Sequence, residues 1–314
     1  MRRTRFRSGA LLQRVARHQT LNYLLTNHIP RRFATTLAGR IARIENRWLT
    51  KAGIVVWQAF GGSLALHEAD TSDFVSLEQV FTRRLKDGAR HVDSTPDLLT
   101  SPCDAVVGAC GFIEDGMAIQ AKGSPYPIND LLLDNRLVAR HRGGRFITLR
   151  LRSTMYHRFH APCDGRVRSA LWIAGDTWNV NPAALKRIDQ LYCKNERVVV
   201  DLEPTQSDCT VTLVAVAAIL VASVHLNCLD VPPRLQRGRL ARFRCGAFVR
   251  KGDELGHFRN GSTIILFASH GFAPCDALVE GATVRVGEPL LRRPHASFSG
   301  PTHDLIPSLN AAIP

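Results

Sequence analysis

The sequence predicts an α+β protein, in which a helical N-terminal part is followed by a mainly β domain. Apolar residues recur at three- and four-residue spacing between Phe33 and Trp48 and again between Phe74 and Leu85, which is the helical period. From about residue 97 to 295 the pattern changes to short β-branched runs separated by Gly, Pro and Asp, which predicts strands and turns. The chain has 314 residues, 45% of them apolar, and this is enough for a substantial core. The predicted regions are a basic arm over 1–28, a helical region over 29–95 and a mainly β domain over 96–314.

The positive charge is concentrated at the N-terminus. The formal net charge is +14, the first acidic residue is Glu45, and ten arginines precede it. The apolar stripe from Phe33 to Trp48 has arginines between its members, which predicts an amphipathic helix with a basic face, suited to an anionic lipid surface. A helix that packs its stripe on the domain and an Arg-rich organellar transit peptide are the alternatives. Nucleic-acid binding is disfavoured, because no recognisable binding module accompanies the charge.

The sequence contains no good transmembrane span and no cysteine pattern typical of a metal site. Its longest apolar run, residues 211–224, is shorter than the roughly 20 residues that cross a bilayer, and it is predicted to form one or two buried strands. The eight cysteines include no Cys-x-x-Cys pair and no His/Cys cluster at zinc spacing. We therefore expect no metal, and reduced, mostly buried thiols in a protein that faces the cytosol.

A short motif, small-Pro-Cys-Asp, occurs three times, at residues 101–104, 161–164 and 273–276. Each copy precedes a Val-containing segment, which predicts a recurring turn that leads into a strand. Duplicated strand-turn units of this kind resemble the barrel-sandwich folds related to biotinyl and lipoyl carrier domains. An aspartate in this turn, such as Asp104, therefore need not be catalytic.

The stretch Asn260-Gly261-Ser262-Thr263 lies where a turn signal meets a β-branched run that ends at Phe267. One interpretation is an ordinary β-hairpin, and a second is an N-glycosylation sequon, which matters only in a secreted chain. A third is a bond that breaks itself, because glycine leaves its carbonyl unshielded and the following hydroxyl can attack it if a base and an oxyanion site are near.

Two histidines, His157 and His160, follow a predicted strand over residues 147–151 and lie where that strand enters a turn. They could both face a cleft and serve in general acid/base catalysis. Structural or solvated histidines are the alternative, and a zinc site lacks a third ligand nearby.

Taken in order over roughly residues 29–291, these motifs resemble the phosphatidylserine decarboxylase family, the pyruvoyl-dependent enzymes that make phosphatidylethanolamine. The most diagnostic stretch is Tyr156–Pro162, while Phe81–Arg90 is similar to a segment of the form Phe-x-Arg-x-Leu-Lys-x-Gly-x-Arg and Gly261-Ser262-Thr263 is similar to the family's self-cleavage site. The departures from the family pattern are Asn260 where leucine is usual, Met155 where aspartate is common, and alanines within residues 217–222 where glycine is frequent.

The resemblance implies a role for each candidate site residue. The hydroxyl of Ser262 would attack the Gly261 carbonyl, with His160 as the base, oriented by Asp104 in a triad similar to that of serine hydrolases. The cofactor is then a covalent pyruvoyl group derived from Ser262, whose ketone acts as an electron sink. His157 would assist decarboxylation or reprotonation. The remaining implications are a large chain over 1–261, a small chain over 262–314, and a phosphate contact from Lys122.

The resemblance also implies a substrate, partners and a location. The expected function is a pyruvoyl-dependent carboxy-lyase that decarboxylates phosphatidylserine to phosphatidylethanolamine. The expected partners are an anionic phospholipid membrane surface, the two chains of one precursor and a possible homodimer, but no nucleic acid. We expect a peripheral protein at the cytoplasmic face of a bacterial inner membrane, with the mitochondrial inner membrane as the alternative.

Three other functions stay open on the sequence. The first is a related pyruvoyl decarboxylase that acts on another amino-acid substrate. The second is a non-enzymatic, carrier-like β module in which Ser262 stays an ordinary serine. The third is an Asp104/His160/Ser262 hydrolase, which would react with serine-directed acylating probes and leave the chain uncut.

Overall fold

The computed structural model confirms the α+β class: short helices precede and interrupt antiparallel sheets. It describes residues 31–120, 124–205, 208–218, 224–229, 238–259, 262–276 and 278–293. The predicted basic arm over 1–28 lies outside these ranges. The helices are α1 (Arg31–Ala42), α2 (Arg47–Gly61), α3 (Leu77–Phe81), α4 (Ile128–Leu132), α5 (Asn135–Arg140), α6 (Pro182–Leu185) and α7 (Leu191–Lys194). No helix within the described ranges is long and apolar enough to span a membrane.

The amphipathic stripe that begins at Phe33 is divided between two helices, so the prediction of one continuous helix is wrong. The break lies at Asn46, whose side-chain oxygen accepts hydrogen bonds from the N–H groups of Trp48 and Leu49, both at 3.0 Å. An asparagine in this position satisfies the first free N–H groups of a helix, and it therefore starts α2 anew. The side chain of Thr50 supports the same start by donating to the carbonyl of Asn46.

The second predicted helix, over residues 74–85, is shorter than its apolar spacing suggests. Only α3 (Leu77–Phe81) is helical, and Ser76 caps it. Leu85 instead forms a β-bridge with Ala69, so the chain has already turned back by that point. Phe74 and Val80 pack in a small separate core with Leu64. Ile54 and Trp57 of α2 pack against this core, which therefore joins α2 to α3.

An eight-stranded antiparallel sheet forms the centre of the β domain, in the order β11-β7-β8-β9-β13-β5-β2-β15. A small sheet, β10-β12-β6, lies apart from it, and two further sheets combine β1, β16 and β14, and β3 with β4. The strands are β1 (Leu98–Thr100), β2 (Ala105–Phe112), β3 (Met117–Gln120), β4 (Ser124–Pro127), β5 (Arg145–Arg150), β6 (Arg158–His160), β7 (Gly165–Ile173), β8 (Arg197–Pro204), β9 (Val211–Ala217), β10 (Val224–Leu226), β11 (Leu240–Val249), β12 (Glu254–Phe258), β13 (Ser262–Ala268), β14 (Ala273–Pro274), β15 (Thr283–Val284) and β16 (Pro289–Arg292).

The central strand β13 is buried on both faces, because a different core covers each face of the large sheet. Ile264 and Leu266 belong to the first core, which also takes in Phe159 and Phe258 from the small sheet. The alternate residues of β13, such as Phe267, belong to a second core that helices α4 and α7 complete. Within the apolar run over 211–224, residues 211–217 form β9 and Val224 begins β10, and these residues are buried strands as predicted.

The first two copies of the Pro-Cys-Asp motif form matching turns that bond to one another. The N–H of Thr100 donates to the carbonyl of Pro162 (3.0 Å), and the N–H of His160 donates to the carbonyl of Pro102 (2.7 Å). The third copy is not part of this pair, since its first residues form β14, an edge strand that pairs with β16.

A glycine turn from the C-terminal part of the chain closes each of these two turns in the same way. Gly287 donates its N–H to the carbonyl of Ser101 (3.0 Å), and Gly252 donates to the carbonyl of Ala161 (2.8 Å). Residues 100–104 with 285–288 are called here the first turn unit, and residues 160–164 with 250–253 the second turn unit. The sequence repeat thus becomes an approximate two-fold repeat in space.

Candidate active site

The two sequence-predicted histidines lie beside the strand that runs toward the predicted cleavage bond. His157 immediately precedes β6 and His160 ends it, and β6 pairs with β12. The N–H of Phe258, the last residue of β12, donates to the carbonyl of His157 (2.9 Å). Residues 260–261 follow and lie outside the described residues. The chain is described again from Ser262, which begins β13 opposite Ala217.

The fold therefore brings three distant parts of the chain to one place: the turn that holds Asp104, the histidine strand β6, and the strands that flank residues 260–261. The side chain of Ser262 and all of Gly261 and Lys122 are outside what the structure describes. Their predicted roles stay predictions.

His157 is fully buried and is held in one tautomer. Its Nδ1 lies 2.8 Å from the carbonyl of Met155, and because a carbonyl can only accept, Nδ1 carries the proton. Its Nε2 therefore carries a lone pair, and within the described residues this buried atom has no hydrogen-bond partner. Burial, together with the nearby charge of Arg83, lowers the pKa of His157 to about 3. This imidazole is neutral at neutral pH, and its Nε2 lone pair is available to accept a hydrogen bond.

An aromatic stack connects His157 to the N-terminal helices. The ring of Phe81, at the end of α3, lies 3.8 Å from the imidazole between centroids, and Trp57 of α2 stacks on Phe81 at 5.8 Å. The guanidinium of Arg83 donates to the carbonyl of Leu64 and to that of Thr154, which holds the same junction together. The position of His157 consequently depends on α2 and α3 as well as on β6.

His160 has the same tautomer, but both of its nitrogens have partners. Its Nδ1 donates to the carbonyl of Gly252 (2.7 Å), and its Nε2 accepts from the hydroxyl of Tyr156 (3.0 Å). Burial lowers the pKa of His160, against the opposing effects of the Gly252 hydrogen bond and the carboxylates of Glu254 and Asp104. A neutral imidazole with a lone pair on Nε2 has the form that a general base requires.

Asp104 is not hydrogen-bonded to His160 in this conformation. Its carboxylate receives the guanidinium of Arg90, at 2.9 and 2.5 Å, and the backbone N–H of Val286, at 3.0 Å. Arg90 also binds Glu68, and although burial opposes it, these two carboxylates raise the pKa of Arg90. Asp104 therefore acts on His160 through charge and through the main-chain bond between their turns, and the predicted direct orientation is absent here.

The candidate site lies in a part of the chain that matches a known protein family. The family model for phosphatidylserine decarboxylase matches residues 77–292, which include both turn units and all the strands around the candidate site. The chain belongs to the phosphatidylserine decarboxylase family. Proteins named phosphatidylserine decarboxylase proenzyme are 32% identical over 86% of the chain in Aliivibrio fischeri, and 35% identical over 83% in Vibrio cholerae and over 85% in Pseudomonas fluorescens. The matches cover 95%, 94% and 94% of those relatives.

One departure from the decarboxylase family pattern has a structural explanation. Met155 stands where the family commonly has an aspartate, yet the group that fixes the His157 tautomer is the main-chain carbonyl of Met155. Any residue supplies that carbonyl. The side chain of Met155 is used otherwise, since its sulfur accepts from the N–H of Arg152 (3.4 Å).

Sequence reasoning gave no role to several residues that hold the decarboxylase site. Tyr156 and Arg90 lie inside motifs that resemble the family pattern, and the motifs alone indicated no role for either. In the structure, Tyr156 bonds to His160 and Arg90 to Asp104. A polar group of fixed type beside a catalytic candidate is a signal that could have found them. His257 and His225 were also missed, and their rings lie 4.8 Å apart on β12 and β10. Burial lowers the pKa of His257 to about 4.

Proposed function

We propose that the protein decarboxylates phosphatidylserine to phosphatidylethanolamine, using a pyruvoyl group that it makes by breaking the Gly261–Ser262 bond. The observation that carries the proposal is the unpartnered, buried Nε2 of His157, a neutral base beside the strand that leads to this bond. A buried polar atom without a partner is costly, and it is kept where a reacting group will use it.

The residues present fit a pyruvoyl group at Ser262. The candidate bond lies in a short connection between β12 and β13 that contains a glycine. One neutral imidazole, that of His160, ends the neighbouring strand β6, and the other, that of His157, immediately precedes it. A pyruvoyl group supplies a ketone that withdraws electrons from the substrate as carbon dioxide leaves. The relatives are named proenzymes, a name for a precursor that is processed, and this supports the proposal.

The roles of the chain's own residues follow from their protonation states. The Tyr156 hydroxyl first stops donating to Nε2 of His160, which frees the lone pair of that nitrogen. His160 then takes the proton from the Ser262 hydroxyl as that oxygen attacks the Gly261 carbonyl. Asp104 stabilises the imidazolium that this transfer creates, through its negative charge. Nε2 of His157 has no proton of its own, so His157 would first take up a proton that the substrate ammonium releases and would then give it to the substrate carbon after carbon dioxide has left. Burial of His157 keeps competing water away from that step.

The N-terminal helices supply the contact with the lipid surface. Large apolar side chains are exposed on both helices, with Trp48 82% exposed, Val55 66% and Ile41 46%, and Arg40 and Lys51 lie among them. Such a surface suits the interface of an anionic membrane. We place the protein peripherally at the cytoplasmic face of a bacterial inner membrane, with the large and small chains of one precursor remaining together.

The test is the intact mass of the purified protein under denaturing conditions, beside Ser262→Ala and the control Ser94→Ala. The small chain holds 53 of the 314 residues, about 6 of the 34.8 kDa, and leaves a large chain of about 29 kDa. We expect both pieces from the wild type and from Ser94→Ala, and one uncut species from Ser262→Ala.

The second half of the test is the release of carbon dioxide from phosphatidylserine in anionic vesicles. Cleaved protein should release it, and uncut Ser262→Ala should not. A single uncut 34.8 kDa species from the wild type would overturn the proposal. Covalent labelling of Ser262 by an acylating probe in that uncut species would instead indicate a hydrolase.

A further inference from the structure

Five polar groups are buried in or against the second core without a hydrogen-bond partner in the described parts of the chain. They are the hydroxyls of Thr148, Thr263, Tyr126 and Tyr192 and the Nε of Arg150. Burying even one such group unpaired is unfavourable, and native proteins do so rarely. The four hydroxyls lie in two neighbouring pairs, Tyr126 with Thr148 and Tyr192 with Thr263. The group that most clearly lacks a partner is therefore the Nε of Arg150, and a buried cationic donor of this kind indicates a site that an anionic ligand completes.

Strand register places three of these groups together, next to the candidate cleavage bond. Arg150 and Thr263 are directly opposite each other where β5 pairs with β13. Thr148 lies two residues before Arg150 and therefore on the same face of β5, the face that carries Phe146 into the second core. Thr263 directly follows Ser262, so the polar cluster begins one residue from the proposed pyruvoyl position.

The two tyrosines cover this cluster. Tyr192 belongs to α7, and its ring meets that of Tyr126 edge to face at 6.2 Å. Burial raises the pKa of Tyr192 to about 12, while the charge of Arg150 and the hydroxyl of Thr263 act against that rise. Both groups are thus close to Tyr192, although no hydrogen bond of ordinary length joins the hydroxyls.

Arg150 and Arg197 both extend into this region, and they differ in whether the guanidinium has hydrogen-bond partners. Arg197 is 2% exposed, and its guanidinium donates four hydrogen bonds to main-chain carbonyls, including those of Leu131 and Asp130. Arg150 is only partly exposed, yet it makes no hydrogen bond or ion pair with any described residue. A guanidinium in such a place is stabilised by an anion, and no carboxylate among the described residues is paired with it.

We infer that Arg150, with the hydroxyls of Tyr192 and Thr263, binds an anionic oxygen group of the substrate head group. Guanidinium and hydroxyl groups are all donors, so the matching ligand group has several acceptor oxygens and a negative charge. The inference rests on the proposed function, whose substrate has two such groups, a phosphodiester and a carboxylate. Bound through either, the substrate's amine is positioned for the reaction one residue away.

The first experiment measures binding to the uncut Ser262→Ala protein and does not require a working cofactor. Glycerophosphoserine is titrated into this background alone and with Arg150→Met, Tyr192→Phe or the control Arg152→Met, an exposed arginine two residues further on. We expect Arg150→Met to weaken binding about tenfold or more, because it removes a charged donor. Tyr192→Phe should weaken binding about threefold, because it removes a neutral donor. Arg152→Met should bind as the parent does.

Two further ligands distinguish the two anionic groups. Glycerophosphoethanolamine carries the phosphodiester without the carboxylate, and O-acetylserine carries the carboxylate without the phosphodiester. Whichever ligand loses affinity with Arg150→Met identifies the group that Arg150 binds. Equal binding of all three ligands to Arg150→Met and its parent would overturn the inference and leave buried water as the partner of these groups.

Activity supplies an independent measurement in the self-cleaved protein. Arg150→Met should cleave itself and unfold at about the wild-type temperature, and its KM for phosphatidylserine should rise about tenfold with a smaller change in kcat. If the wild type releases no carbon dioxide, the proposed function fails while the binding result still stands. If the wild type is active and Arg150→Met has an unchanged KM, the inference alone is wrong.

Discussion

The two turn units have the same backbone arrangement and differ in what surrounds their aspartates. In the first unit, the carboxylate of Asp104 accepts from the N–H of Val286 (3.0 Å), and in the second that of Asp164 accepts from the N–H of Lys251 (2.7 Å). Asp104 is 7% exposed and is also bound by Arg90, whereas Asp164 is exposed. The shared bond shows what an aspartate does in this turn: it satisfies a main-chain N–H. Any further role comes from the neighbours.

The two turn units also differ in the residue with which each begins. The first turn unit begins with Thr100 at the position that His160 holds in the second, and both residues donate their N–H across to the partner turn. The catalytic candidates are therefore divided between two equivalent turns, with the carboxylate from one and the imidazole from the other. The repeat therefore supplies the backbone frame, and the residues that differ between its two copies supply the candidate site.

The largest expected effect comes from removing the charge of Asp104. Asn at this position can still accept from Val286, but it leaves Arg90 with Glu68 alone in a place where the Arg90 and Asp104 side chains are each about 10% exposed. We expect Asp104→Asn to lower the free energy of unfolding by about 3 kcal/mol, since it breaks a largely buried ion pair. Self-cleavage, followed by intact mass, should slow by about tenfold or more because the charge near His160 is lost.

Asp164→Asn is the matched control, because it keeps the turn bond and removes a charge that is exposed. Its free energy of unfolding should change by about 1 kcal/mol or less, with cleavage at the wild-type rate. Equal losses in the two variants would mean that both aspartates act only through the turn. The distinction between the two units would then be unsupported.

The next largest effect concerns the glycines that close the two units. Gly287 and Gly252 have φ values of 88° and 90°, so alanine is strained in both. A Cβ on Gly287 would lie 2.3 Å from the carbonyl oxygen of His91, which is main chain, while one on Gly252 would meet a methyl of Val92 at 2.8 Å. Gly287→Ala should therefore destabilise by about 3 kcal/mol and Gly252→Ala by about half as much, in chemical denaturation.

Self-cleavage should rank these two variants in the opposite order. The carbonyl of Gly252 accepts from Nδ1 of His160, so a movement of this carbonyl disturbs the imidazole. The described hydrogen bonds of Gly287 join it only to the main chain of Ser101 and Asp93. Gly252→Ala should cleave more slowly than Gly287→Ala when both are folded. Cleavage rates that simply follow stability would contradict the role given to the Gly252 carbonyl.

The sequence predicted local features well and long-range ones poorly. The α+β class, the buried strand β9 and the turn at Asp104 follow from periodicity and turn residues, which act within a few positions. The break before α2 was signalled by Asn46, an N-cap residue, but the apolar stripe across it suggested continuity. The Arg90 contact with Asp104 could not be predicted from spacing, because it depends on how the helical region docks on the sheet.

For the candidate site, the motifs proposed a set of residues whose roles stay predictions, and they did not predict the hydrogen-bond partners of those residues. His160 was expected to meet Asp104, and it meets Gly252 and Tyr156. The carbonyl of Gly252 is invisible to a residue-type pattern, since every residue has one. The reciprocal bonds between the turns are likewise main-chain bonds, and only the repeat of Pro-Cys-Asp hinted at them.

The smallest expected effect is a pH dependence of stability caused by His157, which immediately precedes the strand β6 that leads into the second turn unit. Burial lowers the pKa of His157 to about 3, from 6.5 for an unperturbed histidine, so the unfolded chain binds a proton between these values and the folded protein does not. The stabilisation is therefore complete above about pH 6.5 and is lost as the pH falls, by about 1.4 kcal/mol per pH unit for this one site.

His157→Gln should remove that part of the slope when free energies of unfolding are measured between pH 7.5 and 5.5. His270→Gln, at an exposed position, should retain the wild-type slope. A slope unchanged in His157→Gln would mean that other histidines whose pKa is lowered, such as His257, account for the acid sensitivity.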